Sequence, residues 1–107
     1  GLPFLGRGDI PQWAKIYTAM APQVAGIRRF GSAALDFAWV ADGRMDGFWE
    51  DDLDLWDAAA GVLLVKEAGG FVTDYRGGDR AFERGEYVAG SAAIHSKLQK
   101  LVAGALR

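Results

Sequence analysis

Two stretches of this chain are apolar around the whole circumference of a helix, and they constrain the fold more than any other feature. Residues 32–42, SAALDFAWVAD, carry one interior charge, Asp36. Residues 55–68, LWDAAAGVLLVKEA, carry Asp57 in the first turn and no further charge before Lys66 and Glu67. A surface helix shows one apolar stripe, whereas a helix apolar all round is buried between layers. Two such helices in 107 residues predict a layered α/β fold in which sheets and helices cover both sides.

The other segments supply candidates for those layers. Residues 11–20 place Trp13, Ile16, Tyr17 and Met20 on one helical stripe, with Pro11 in the first turn, Asp9 as a possible cap and Pro22 as a breaker. Ser32 is the natural N-cap of the next helix and Gly43 its stop. Short strands are predicted at 24–30, 46–50, 71–75 and 86–90. Gly69-Gly70 ends the helix at 55–68, and residues 77–85 read as a mobile polar loop. A final amphipathic helix over 92–106 turns Ile94, Leu98, Leu101, Val102 and Ala105 inward. Alternating helices and strands predict a mixed or mostly parallel sheet flanked by helices. There is no repeat or internal linker, so the chain reads as one domain or as half of a larger one.

Composition narrows the function. The formal net charge of −2 gives no basic footprint for nucleic acid. With no cysteine there is neither a disulfide nor a thiolate zinc site. No apolar run is long enough to cross a bilayer and no signal-peptide pattern opens the chain; the expectation is a cytoplasmic protein without nucleic-acid or membrane partners. The opening GLPFLGRGD has no Met and reads like the interior of a longer protein.

Chemistry could sit at two strand-to-helix junctions. At RRFGSAA, Ser32 opens a helix whose first amides, at Ala33 and Ala34, are donors with the helix dipole behind them; such a terminus suits a phosphate or a hydroxyl-rich ligand, or is an ordinary N-cap. At EDDLDLWDAAAG, five acids precede or enter a helix: Glu50, Asp51, Asp52, Asp54 and Asp57. Ligands of α/β folds gather beyond the carboxyl ends of strands; equally, Asp57 could complement its helix dipole and the others keep the loop solvated. The calcium-loop pattern fails, because Trp56 and Asp57 fall where an Asp or Asn and the required Gly should be. One Asp is plausible as a part of a shared Mg²⁺ site, since that ion takes one or two carboxylates plus waters and substrate phosphate. His95 is expected on the surface, and Trp13, Trp39, Trp49 and Trp56 read as core. Arg28 and Arg29 point to opposite faces of a strand, so at most one serves any site.

These residues also carry a family resemblance. GSAALDFAWVADGRMDGFWE, followed by LWDAAAGVLLVKEAGGFVTD, resembles the C-terminal half of an inositol monophosphatase. The W-D-x-A-A-G element is Trp56 to Gly61, its trailing E-A-G-G is Glu67 to Gly70, and YVAGSAAIH fits as well. The resemblance covers essentially the whole chain. It implies a five-layered αβαβα sandwich, usually a homodimer, that uses Mg²⁺ to hydrolyse phosphate monoesters of inositol and related polyols. By position, Asp57 would be a metal ligand, Glu50 would accept a hydrogen bond from a substrate hydroxyl, and the backbone amide of Ala33, behind Ser32, would touch the polyol. Asp51, Asp52 and Asp54 match no functional position and are expected to be solvated loop. Leu55 stands where the family often has Pro.

The family's D-P-x-D-G-T motif is absent: the prolines are Pro3, Pro11 and Pro22, none preceded by Asp. Residues 1–107 are therefore expected to be the C-terminal α/β domain of a longer phosphatase. On that expectation the chain supplies part of the site, is inactive alone, and needs the missing N-terminal half, with catalysis by none of its own residues. The alternatives are a non-catalytic interaction or dimerisation module, or a relative acting on histidinol phosphate or another sugar phosphate.

Overall fold

A computed structural model describes residues 9–28 and 32–107. Helix α1, Ile10–Met20, opens on Asp9, whose carboxylate accepts the Gln12 amide at 2.9 Å, and closes in a single 3-10 turn, Ala21–Gln23, that contains Pro22. Helix α2, Ala33–Ala41, is capped by Ser32, whose hydroxyl accepts the Leu35 amide at 3.3 Å. Strand β1, Gly47–Glu50, leads to α3, Leu55–Glu67. Strand β2 is Phe71–Thr73, α4 is Ala81–Arg84, β3 is Tyr87–Gly90 and α5 is His95–Ala105.

The three strands lie in the order β1-β3-β2, and β3 is antiparallel to both neighbours. This corrects the expected mixed or mostly parallel sheet as far as the described strands go. Strands β1 and β2 are parallel to each other and joined across α3, as helix–strand alternation suggests. The last strand, however, inserts between them, so every hydrogen-bonded pair is antiparallel.

Side chains alternate across this sheet. Phe48, Ala89 and Val72 share a register row and face a core with Phe37 and Val40 of α2 and Val62 and Val65 of α3. Trp49, Val88 and Thr73 form the next row; Trp49 and Val88 pack with Ile16 and Met20 of α1 and Leu98 and Val102 of α5. The described residues thus make three layers: α2 and α3, the sheet, then α1 and α5. The inward set expected for α5 is the one found.

Other expectations need correction. Residues 24–28 form no strand, and residues 29–31 lie outside the described residues. Strand β2 stops at Thr73 because Asp74 turns the chain, its buried carboxylate accepting the amides of Arg76 and Gly78 at 2.9 Å each. The polar loop at 77–85 contains α4, anchored by buried Ala81 and ended by Gly85 with φ +67°. Helix α3 is buried on one side only: Leu55, Leu63 and Leu64 are exposed, and Trp56 is 89% exposed, not core. His95 is half-buried rather than on the surface. Its Nε2 lies 2.9 Å from the Thr73 hydroxyl, which donates to the Asp74 carbonyl and therefore accepts from the ring.

Candidate functional site

The helix starts of the two junctions singled out in the sequence, Ala33 and Leu55, come to one end of the described residues. Helices α2 and α3 approach so closely that a Cβ on Gly61 would lie 2.5 Å from the Phe37 ring. Further along both helices, Val40 and Ala41 line one cleft with Val65 and Ala68. Contacts that advance in step along both chains mean that the helices run in the same direction. Their N-termini, at Ala33 and Leu55, therefore share an end. Strand β1 runs back between them in sequence: Gly47 pairs with Gly90, which lines the cleft at the carboxyl ends of the helices, and Glu50 finishes at the opposite end. Edge-on contact of Phe37 with Phe48, centroids 4.8 Å apart, fixes α2 on β1.

Each element presents different chemistry there. The Ser32 cap takes the Leu35 amide and the Ser32 carbonyl accepts the Asp36 amide at 3.0 Å. The donors left to the helix geometry at that terminus are the amides of Ala33 and Ala34. Glu50 shares a face of β1 with Phe48 and is half-buried; burial pushes its carboxyl up, and the negative charge of Asp36 pushes the same way. Asp57 is exposed in the first turn of α3, and its amide donates to the Asp54 carbonyl at 3.0 Å.

The other loop acids are not alike. Asp52 and Asp54 are exposed, as a solvated loop requires. Asp51 is half-buried: burial pushes its carboxyl up, while the amides of Asp51 and Asp9 pull it down, tying the start of α1 to this loop. Asp52 adopts φ +55°, a conformation that Asp tolerates better than most residues. Burial also raises the Tyr75 hydroxyl, and the charges of Asp51, Glu86 and Glu50 push the same way.

A hard divalent cation wants several oxygens. Among the described residues no group of three or more His, Cys, Asp or Glu could hold one. Asp57 fits as one oxygen ligand of a site completed by other groups, and does not fit as a site alone. Sequence reasoning noticed Asp36 as the one charge inside α2 but gave it no role. The available signal was its i,i+4 spacing from Ser32, which places it one turn below the helix terminus. No helix among the described residues is long and apolar enough to cross a membrane.

A sequence model of the inositol monophosphatase family matches residues 4–107. An inositol-1-monophosphatase of Mesorhizobium japonicum is 51% identical over 102 residues, which is 95% of this chain and 38% of that protein. The Nus factor SuhB of Pseudomonas aeruginosa is 46% identical over 100 residues, 92% of this chain and 37% of its own. The crystal structure of the extragenic suppressor protein suhB from Bartonella henselae superposes with a TM-score of 0.90 at 48% identity, covering 95% of this chain and 39% of that one. The chain thus spans less than two fifths of the length of these relatives.

Proposed function

The chain belongs to the inositol monophosphatase family, and on that premise we propose that it is the C-terminal α/β domain, residues 1–107, of a Mg²⁺-dependent phosphatase acting on inositol monophosphate or a related polyol phosphate. In this reading Glu50 accepts a hydrogen bond from a substrate hydroxyl, the Ala33 amide behind the Ser32 cap contacts the polyol, and Asp57 is one metal ligand. The observation that carries it is the convergence of the α2 and α3 N-termini with the carboxyl end of β1. Positive helix ends suit an anionic, hydroxyl-rich ligand, and Glu50 supplies the acceptor that such amides cannot. When bound, Mg²⁺ supplies an activated water and neutralises the displaced phosphate.

The remaining ligands belong to an N-terminal half with the D-P-x-D-G-T motif, and the 107-residue chain alone is inactive. The complete protein is a cytoplasmic homodimer. A chimera provides the test: the M. japonicum inositol-1-monophosphatase with its matching segment replaced by this chain. It releases phosphate from inositol 1-phosphate only with Mg²⁺, and Glu50→Gln raises KM by about tenfold, as loss of a hydrogen bond to a charged group does. A chimera that folds but is inactive on inositol phosphates and active on histidinol phosphate moves the substrate to another branch.

One observation favours a second reading, a non-catalytic interaction module: relatives about as similar as the phosphatases are named Nus factor SuhB. On that reading the folded chimera releases no phosphate from any of these substrates.

A further inference from the structure

Between Glu50 and Asp57 the chain leaves β1 and runs through residues 51–54 without helix or strand before α3 begins. The core holds both flanks of this loop. Phe48 of β1 and Ala58 of α3 are buried in one cluster, and Leu53 packs against the same cluster midway between them. Leu53 is half-buried, whereas Asp52 and Asp54 on either side are exposed. The apolar residue inside the acid run thus turns inward where its neighbours turn to water.

The loop has a second support. Helix α4 ends at Gly85, and a Cβ there would lie 3.7 Å from the Asp52 amide nitrogen and 3.8 Å from both the Asp52 Cα and the Leu53 carbonyl oxygen, ordinary contact distances. Gly85 and Asp52 meet with positive φ on both sides, +67° and +55°. Such backbone persists where its surroundings hold it. Helix α4 is itself fixed twice: Ala81 is buried in the cluster that Leu53 joins, and Arg84 Nε stands 3.7 Å from the buried Asp74 carboxylate. A line of contacts therefore runs from the turn after β2, through α4, to loop 51–54.

We propose that Leu53 is a positioning residue: with Gly85 of α4 against the loop backbone, its side chain holds loop 51–54 on the core and so fixes the separation of Glu50 and Asp57. This rests on the roles proposed above for those two carboxylates. Glu50 ends a strand and Asp57 enters a helix, so the loop between them sets how the two ends face each other. A substrate bound to a metal must meet both, and a misplacement of about 1 Å can cost about 100-fold in rate.

In the chimera, Leu53→Ala raises both KM for inositol 1-phosphate and the Mg²⁺ concentration for half-maximal activity by about tenfold, measured well below the unfolding midpoint. Leu53→Met, which refills the volume, brings both back. Val102→Ala, in the core on the α1 and α5 side of the sheet, is the control: it lowers the unfolding midpoint and leaves both constants in place. If Leu53→Ala behaves as Val102→Ala does, Leu53 only packs and the inference is overturned. A rise in one constant alone overturns it too, because the loop then does not hold the two carboxylates together. Should Leu53→Ala not fold, Gly85→Ala reads the contact from α4. A methyl has room there, so what it upsets is the positive φ, and the same two constants rise or the inference falls. If Glu50→Gln leaves KM and Asp57→Asn leaves the Mg²⁺ dependence unchanged, the reading of those carboxylates fails and takes the inference with it. If both act as proposed and Leu53→Ala does not, the inference fails alone.

Discussion

Gly61 of α3 faces Phe37 of α2 across a gap with no room for a methyl group: a Cβ would lie 2.5 Å from three Phe37 carbons. Phe37 is completely buried and packs against two other rings, so it has nowhere to retreat. Gly61→Ala is expected to destabilise the fold by about 1–3 kcal/mol through overpacking. Urea unfolding of the chimera measures it; an unchanged midpoint would show that α2 and α3 can separate at little cost. Because Phe37 stands about one turn and Gly61 less than two turns from the start of its helix, the same change should lower kcat/KM by spreading those termini.

Asp74 gives a pH-dependent contribution. Burial alone would raise its carboxyl, but the amides of Gly78, Arg76 and Arg80 and the Arg84 guanidinium, 3.7 Å away, hold it below the ordinary value of 3.8. A carboxyl lowered by folding stabilises above its unfolded pKa, and that contribution is lost as pH falls below about 3.8 through the folded value. Asp74→Asn should cost about 1–3 kcal/mol at pH 7 and clearly less at pH 3. A cost that is the same at both values would place the effect in packing.

The proposed metal role of Asp57 predicts a specific kinetic signature. Asp57→Asn in the chimera should raise the Mg²⁺ concentration for half-maximal activity by at least about tenfold, since even outer-shell partners of a metal are worth that much. Fold stability should change little, because Asp57 is exposed. An unchanged Mg²⁺ dependence would remove Asp57 from the metal site.

The outer face of α3 predicts how the isolated chain behaves. Trp56, Ala59, Ala60 and Leu63 recur at helical spacing, all exposed. Contiguous apolar surface of this kind drives association. Light scattering of the 107-residue chain should show oligomers or aggregates, reduced in the Trp56→Lys, Leu63→Lys double variant. A monodisperse monomer before mutation would contradict this.

Much of the architecture was legible because local signals are strong where a cap or a period is involved. Asp9, Ser32 and Gly43 each mark a helix end as expected, with Gly43 at φ +79°. The inward face of α5 followed from its spacing. Strand pairing was not legible, because nothing in YVAG states that β3 inserts between β1 and β2. The exposure of Trp56 was misread for a different reason: hydrophobicity reports that a helix face suits burial, not that the residues burying it belong to this segment. The acid run was readable in kind but not in division. Alternation along β1 sends Glu50 to the α2 side, whereas the partial burial of Asp51, one residue past the strand, has no local signal in the sequence.

The most direct test of the account is phosphate release from inositol 1-phosphate, measured side by side for the 107-residue chain and the chimera. The chimera is expected to release phosphate in a reaction abolished by chelation, and the chain alone to release none above blank. Chelator-sensitive release by the 107-residue chain would contradict the claim that it holds only part of the metal site.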